Sequence, residues 1–92
     1  MKINFYATFR PIVGGKTIDL PVSEGSTVSQ LVQVLIESYP ALGPQLIDND
    51  GKLYSHVHVF INGRDAPMLP DSMQTILKTG DSIDIFPPVA GG

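Results

Sequence analysis

The 92 residues contain no cysteine, which removes disulfides, thiolate metal sites and cysteine nucleophiles together. Whatever the protein does, its own side chains supply no thiol. Long apolar runs are also missing. None approaches the ~20 residues needed to span a bilayer, and the first residues hold one lysine and no apolar signal core of the usual length, so a cytoplasmic protein with no membrane association is expected. Basic clusters are absent too. With a net charge of −3 and no run of lysine or arginine, the chain offers no electrostatic footprint for nucleic acid. No internal repeat or low-complexity segment stands out, and the length suits one domain with one modest core.

What the sequence does contain is clear periodicity. From Lys2 to Arg10 it alternates, with Ile3, Phe5, Ala7 and Phe9 on one face and Asn4, Tyr6 and Thr8 on the other, the period-two pattern of a half-buried strand. Pro11 to Gly15 then reads as the turn of a hairpin, its Gly14-Gly15 pair supplying positive backbone dihedrals before Ile18 and Leu20 resume the alternation. Thr27 with Gln30 three residues later is a capping box. Val28, Leu31, Val32, Leu35 and Tyr39 follow as one helical stripe, which Pro40 ends by disfavouring helical dihedrals at Tyr39. The stretch "ALGPQLIDNDGKLYS" reads as a connection with a short helical turn around Pro44 to Ile47. Val57, Val59 and Ile61 alternate with His56, His58 and Phe60 in a further strand, closed by Asn62-Gly63. Leu69 and Ile76 or Leu77 are expected to plug the core from a loop, before "TGDS" turns the chain into Ile83 to Phe86.

Strand, strand, helix, strand and final strand imply an α+β fold, a mixed sheet packed against one main helix. A right-handed crossover through that helix makes the first and last strands parallel neighbours. This is the ubiquitin-like β-grasp topology. It predicts a β-grasp domain over 1–86 and a flexible tail over 87–92, in which Pro87 and Pro88 favour an extended exit while Gly91 and Gly92 permit close backbone approach. Six such residues at ~3.3 Å each reach about 20 Å.

The segments "INGRD" at 61–65 and "TGDSIDIFPPVAGG" at 79–92, with the element order around them, resemble the MoaD/ThiS family of sulfur-carrier proteins, which includes the small subunit of molybdopterin synthase. "FRPIVGG" and "GKLYSHVHVFINGRD" depart from that subunit and resemble archaeal-type carriers and the carrier of a cysteine-synthesis route at least as much. The resemblance implies a protein co-substrate that is not itself an enzyme. Its Gly92 carboxylate would be adenylated with ATP by a ubiquitin-activating-type adenylyltransferase and converted to a thiocarboxylate, with sulfur from a donor such as a sulfurtransferase. No cofactor would be bound by the carrier itself. Pro87, Pro88, Val89, Ala90 and Gly91 would be the residues recognised along the tail. Molybdopterin biosynthesis is the first expectation for the acceptor, with the molybdopterin synthase large subunit as partner. Cysteine, thiamin or tRNA thiolation, ubiquitin-like modification of lysines, and a non-covalent β-grasp interaction module are the alternatives.

A carboxylate becomes a useful electrophile only when its oxygen is made a good leaving group, and a thin, extended end suits the confined site where that occurs. The body must also be held. If the last strand lies between the first and third, the outward alternation gathers Tyr6, Phe60 and Phe86 into one apolar patch, a candidate partner surface. Parallel pairing adds Arg10 and the Pro11 to Gly15 turn at the same end. Other constellations are weaker. His56 and His58 share a strand face without an evident third metal ligand, and "DNDG" at 48–51 lacks the glycine position and distal glutamate of a calcium loop. No nucleophile elbow or phosphate-cradling loop occurs.

Overall fold

The structure is a computed structural model and describes residues 1–88; Val89, Ala90, Gly91 and Gly92, on which part of the tail expectation falls, lie outside the described residues. The longest helix, α2, forms over Val28–Ser38. Its start is set by the expected capping box: the Gln30 backbone N–H donates to Thr27 Oγ1 at 3.1 Å, and the Thr27 N–H donates to Gln30 Oε1 at 2.8 Å. Two otherwise orphaned donors are satisfied. Val28, Leu31, Val32 and Leu35 are buried as one stripe. Tyr39 leaves helical geometry at φ −134°, and Pro40 opens a short 3₁₀ turn over Pro40–Leu42, followed by the four-residue α3, Gly43–Leu46.

The first strand, β1, is shorter than the alternation suggests. It covers Lys2–Phe5, and the residues expected to extend it to Arg10 instead turn and form α1, Phe9–Val13. Ala7, expected on the core face, is exposed at φ 51°. Two features decide for the helix. Phe9 and Val13 are four apart and both buried, so a helical turn sends both inward. Pro11 sits in the first turn, where its missing N–H is not needed. The predicted Pro11 to Gly15 hairpin turn is therefore half of α1 plus its cap: Gly14, at φ 86°, donates its N–H to Arg10 O at 2.8 Å, a left-handed position that glycine fills without strain. The hairpin relation itself holds. β2, Thr17–Asp19, pairs antiparallel with β1 through Ile3 and Ile18.

β3, His58–Ile61, is followed by β4, Arg64–Asp65, a two-residue strand not anticipated from the sequence. The turn between them places Asn62 at φ 53° and Gly63 at φ 82°, the dihedral signs of a tight primed turn. β5, Ile83–Phe86, completes a five-stranded sheet in the order β2-β1-β5-β3-β4. β5 runs parallel to β1 with Phe5 opposite Ile85, and antiparallel to β3 with Val59 opposite the same Ile85. This is the ubiquitin-like β-grasp arrangement. Ile3, Phe5, Val59, Ile83 and Ile85 form one core cluster with Val28, Leu31 and Leu35 of α2. Burial of such a side chain stabilises the fold by about 1.5–3 kcal/mol. Of the loop residues expected to plug the core, Leu77 is fully buried, Leu69 is half-buried and Ile76 points outward. No helix among the described residues is long and apolar enough to cross a membrane.

Candidate functional site

The alternation of β5 sends Ile83 and Ile85 into the core and leaves Asp84 and Phe86 on the opposite face of the sheet. Because β5 is central, that face receives neighbours from both sides. Phe86 lies opposite His58 of β3, and Phe60 lies opposite Asp84. On the other side Asn4 pairs with Asp84 and Phe5 with Ile85, so Tyr6 comes to rest beside Phe86.

The aromatic rings make a continuous surface. Tyr6 and Phe86 stack with centroids 4.0 Å apart and planes 10° from parallel, while Phe60 meets Phe86 edge-on at 5.4 Å and 79°. Each geometry is a favourable quadrupole arrangement, adding about 0.5–1.5 kcal/mol per pair beyond area burial. The guanidinium carbon of Arg10 sits 5.3 Å from the Tyr6 centroid, within cation–π range. Arg10 is aimed there by α1, and its Nε donates to Phe5 O at 2.8 Å. The four expected docking residues, Tyr6, Arg10, Phe60 and Phe86, are thus brought together, the three rings half-buried against one another.

A polar network underlies this surface. Tyr6 donates its hydroxyl to Asp84 Oδ1 at 2.9 Å, and Asn4 Nδ2 donates to the same oxygen at 3.1 Å. Thr17 Oγ1 in turn donates to Asn4 Oδ1 at 2.8 Å. The bond to Asp84 raises the Tyr6 phenol above its ordinary pKa, and desolvation and the carboxylate's charge act in the same direction, against a smaller opposing pull from Arg10. Removing the hydroxyl proton would leave two negative groups facing each other.

Two members of this face were not assigned to it from the sequence: Asp84, and His58, which was weighed there only as half of a metal pair with His56. Asp84 anchors the Tyr6 ring, and its place between two isoleucines in "IDIF" was the available signal. His58 stacks on Phe60 with centroids 5.6 Å apart and places Nδ1 2.9 Å from Asp65 Oδ2. It extends the aromatic surface toward β4. His56 is exposed and stacks on Tyr54 instead, and no cluster of three or more metal-ligating side chains gathers among the described residues.

The surface lies at the root of the tail. Phe86 is the last residue of β5, Pro87 is buried and Pro88 is exposed. The ThiS family model matches residues 3–92, so the "PPVAGG" segment lies inside the match. The chain belongs to the ThiS family. Across its full length it is 42% identical to small archaeal modifier protein 3 of Haloferax volcanii, covering 98% of that protein. Its fold is similar to the crystal structure of SAMP1 from Haloferax volcanii, with a TM-score of 0.84 and 30% identity over 100% of this chain and 98% of that one. It is also 31% identical to the sulfur carrier protein CysO of Mycobacterium tuberculosis, over 90% of this chain and 88% of that protein. The ThiS-family assignment thus joins relatives named as modifiers with relatives named as sulfur carriers.

Proposed function

We infer that this ThiS-family chain is a protein co-substrate whose Gly92 carboxylate is activated for transfer. An adenylyltransferase condenses the carboxylate with ATP, releasing pyrophosphate and leaving an acyl-adenylate. The persulfide of a sulfurtransferase then displaces AMP to give an acyl disulfide, and a thiol reductant cleaves its S–S bond to leave a thiocarboxylate. In this reading the β-grasp body is the handle, held through Tyr6, Phe60, Phe86 and Arg10, and residues 87–92 are the reaching arm. The observation that carries it is the family match, which extends through residue 92 and so includes the Gly91-Gly92 pair. The position of the aromatic surface at the root of this arm supports the docking role, since a partner seated there can receive the tail directly.

Two uses of the activated end have support. Acylation of protein lysines is favoured by the similarity to small archaeal modifier protein 3, and transfer of sulfur to a small acceptor by the similarity to CysO. Molybdopterin assembly, first on the resemblance of the sequence motifs, is one case of the second use.

The test is the intact mass of the full chain after incubation with ATP, a sulfur source and its cognate adenylating enzyme. Exchange of one oxygen for one sulfur is expected, and it should vanish when a single residue is added after Gly92. No exchange with an enzyme proven active on another carrier would overturn the reading in favour of a non-covalent interaction module. Lysine-linked adducts in extracts, or product formation with a molybdopterin synthase large subunit, then separate the two uses.

A further inference from the structure

A second surface lies at the other end of the sheet. A groove of about 450 Å³ opens between the β3–β4 turn and the segment 75–78, and its lining includes Ile61, Arg64, Leu69, Ile76 and Lys78. Ile61 pairs with Ile83, whereas Phe86 pairs with His58. The groove therefore sits about 10 Å along the strand from the root of the tail, at ~3.3 Å per residue.

Its apolar wall is held out by the fold rather than left on a loose loop. Val28 N–H donates to Thr75 O at 3.1 Å and Leu77 N–H donates to Ser26 O at 2.8 Å, so the backbone on both sides of Ile76 is pinned beside the start of α2. The pinning sends Leu77 into the core and leaves Ile76 51% exposed. Met68, next to the groove residue Leu69, is 82% exposed. Leu69 and Ile76 thereby present apolar side chains to the same groove.

The rim is cationic. Arg64 and Lys78 both reach the groove, and among the described residues neither side chain is in an ion pair. Asp81 also lines the groove, its Oδ1 accepting from Asn62 Nδ2 at 2.9 Å and its Oδ2 from the Lys78 backbone N–H at 2.8 Å, so two cations stand against one carboxylate. Those bonds brace the groove. On a chain of net charge −3, two of the six basic side chains frame one groove of mixed polar and apolar lining. Arg64 also lies on β4, which is an edge of the sheet, and an edge strand can accept an added extended segment.

We propose that this groove docks an extended acidic-apolar peptide segment of a partner protein, an aliphatic side chain resting on Leu69 and Ile76 and carboxylates facing Arg64 and Lys78. The proposal stands whether or not Gly92 is activated.

The test is an amide chemical-shift titration of the full chain with the peptide acetyl-Asp-Val-Ile-Asp-Leu-Asp-amide, with a lysine-for-aspartate peptide and inorganic phosphate as controls. Saturable shifts are expected at Arg64, Leu69, Ile76 and Lys78, weakening as salt is raised, with none from either control. The double variant Arg64→Glu with Lys78→Glu should weaken binding by about ten-fold or more, because attraction becomes like-charge repulsion. Ile76→Ser should weaken it with the rest of the spectrum unchanged. Shifts centred on Tyr6 and Phe86, equal shifts from the lysine peptide, the same shifts from phosphate alone, or no saturable shift would each overturn the proposal.

Discussion

The Tyr6 ring stacks on Phe86 at 4.0 Å while its hydroxyl is tied to Asp84 at 2.9 Å. A residue just beyond the first strand is thereby locked, by ring and by hydroxyl, to the last strand. The tail emerges from the residue that carries the stack. The aromatic surface and the exit of the chain at Pro87 are thus set by the same contacts.

Phe60 completes that surface without entering the core cluster. Phe60→Asp should leave the circular dichroism and thermal transition close to the parent while weakening docking to the adenylating enzyme. The expected loss is about 2 kcal/mol or more, the scale of an aromatic hot spot. An unfolded variant would show instead that the ring supports the fold, and unchanged affinity would remove it from the interface.

The raised Tyr6 phenol gives a signed pH dependence. A group whose pKa is higher in the folded state binds its proton more tightly there, so its contribution is fully present below the ordinary value of 10.0. It is lost as the pH rises through the raised folded value. Tyr6→Phe should remove this alkaline loss of stability, together with one phenolate component of the ultraviolet absorbance titration. An identical alkaline decline in parent and variant would sink the coupling.

Thr27→Ala deletes the side-chain acceptor of the α2 cap and should destabilise the protein by about 1 kcal/mol. For a domain of this size that corresponds to a drop in Tm of about 4–8 °C. Calorimetry of the purified variant checks it, and a Tm within a degree of the parent would show that packing alone starts the helix.

Phe9→Ala tests whether the short α1 is a core element. Phe9 is fully buried, and truncating such a ring costs about 3–5 kcal/mol. Urea denaturation should show that loss with the slope unchanged. A cost below about 1 kcal/mol, the range of surface changes, would place the ring outside the core.

Local chemistry was legible where it is self-contained. The start of α2 rests on two hydrogen bonds between residues three apart, and its end on Pro40, so no distant contact was needed to read it. The strand at Ile83–Phe86 and the turn at Asn62-Gly63 were legible for the same reason. The segment from Tyr6 to Val13 was not. Its apolar residues satisfy a period of two at Phe5 and Phe9 and a period of four at Phe9 and Val13, and Pro11 is compatible with a turn or with a first helical turn. β4 was missed because two residues carry no periodicity.

The sequence by itself determined the strand–strand–helix–strand–strand frame of the β-grasp, the capped helix and the Pro-Pro-Val-Ala-Gly-Gly segment, because each depends on neighbours in the chain. Only the tertiary structure decided that Tyr6 and Asp84, 78 residues apart, share a hydrogen bond, that Arg10 lies over the Tyr6 ring, and that Ile76 faces water while Leu77 fills the core. These outcomes depend on β5 inserting between β1 and β3 and on backbone bonds from α2 to the 75–77 segment, and no local periodicity encodes them.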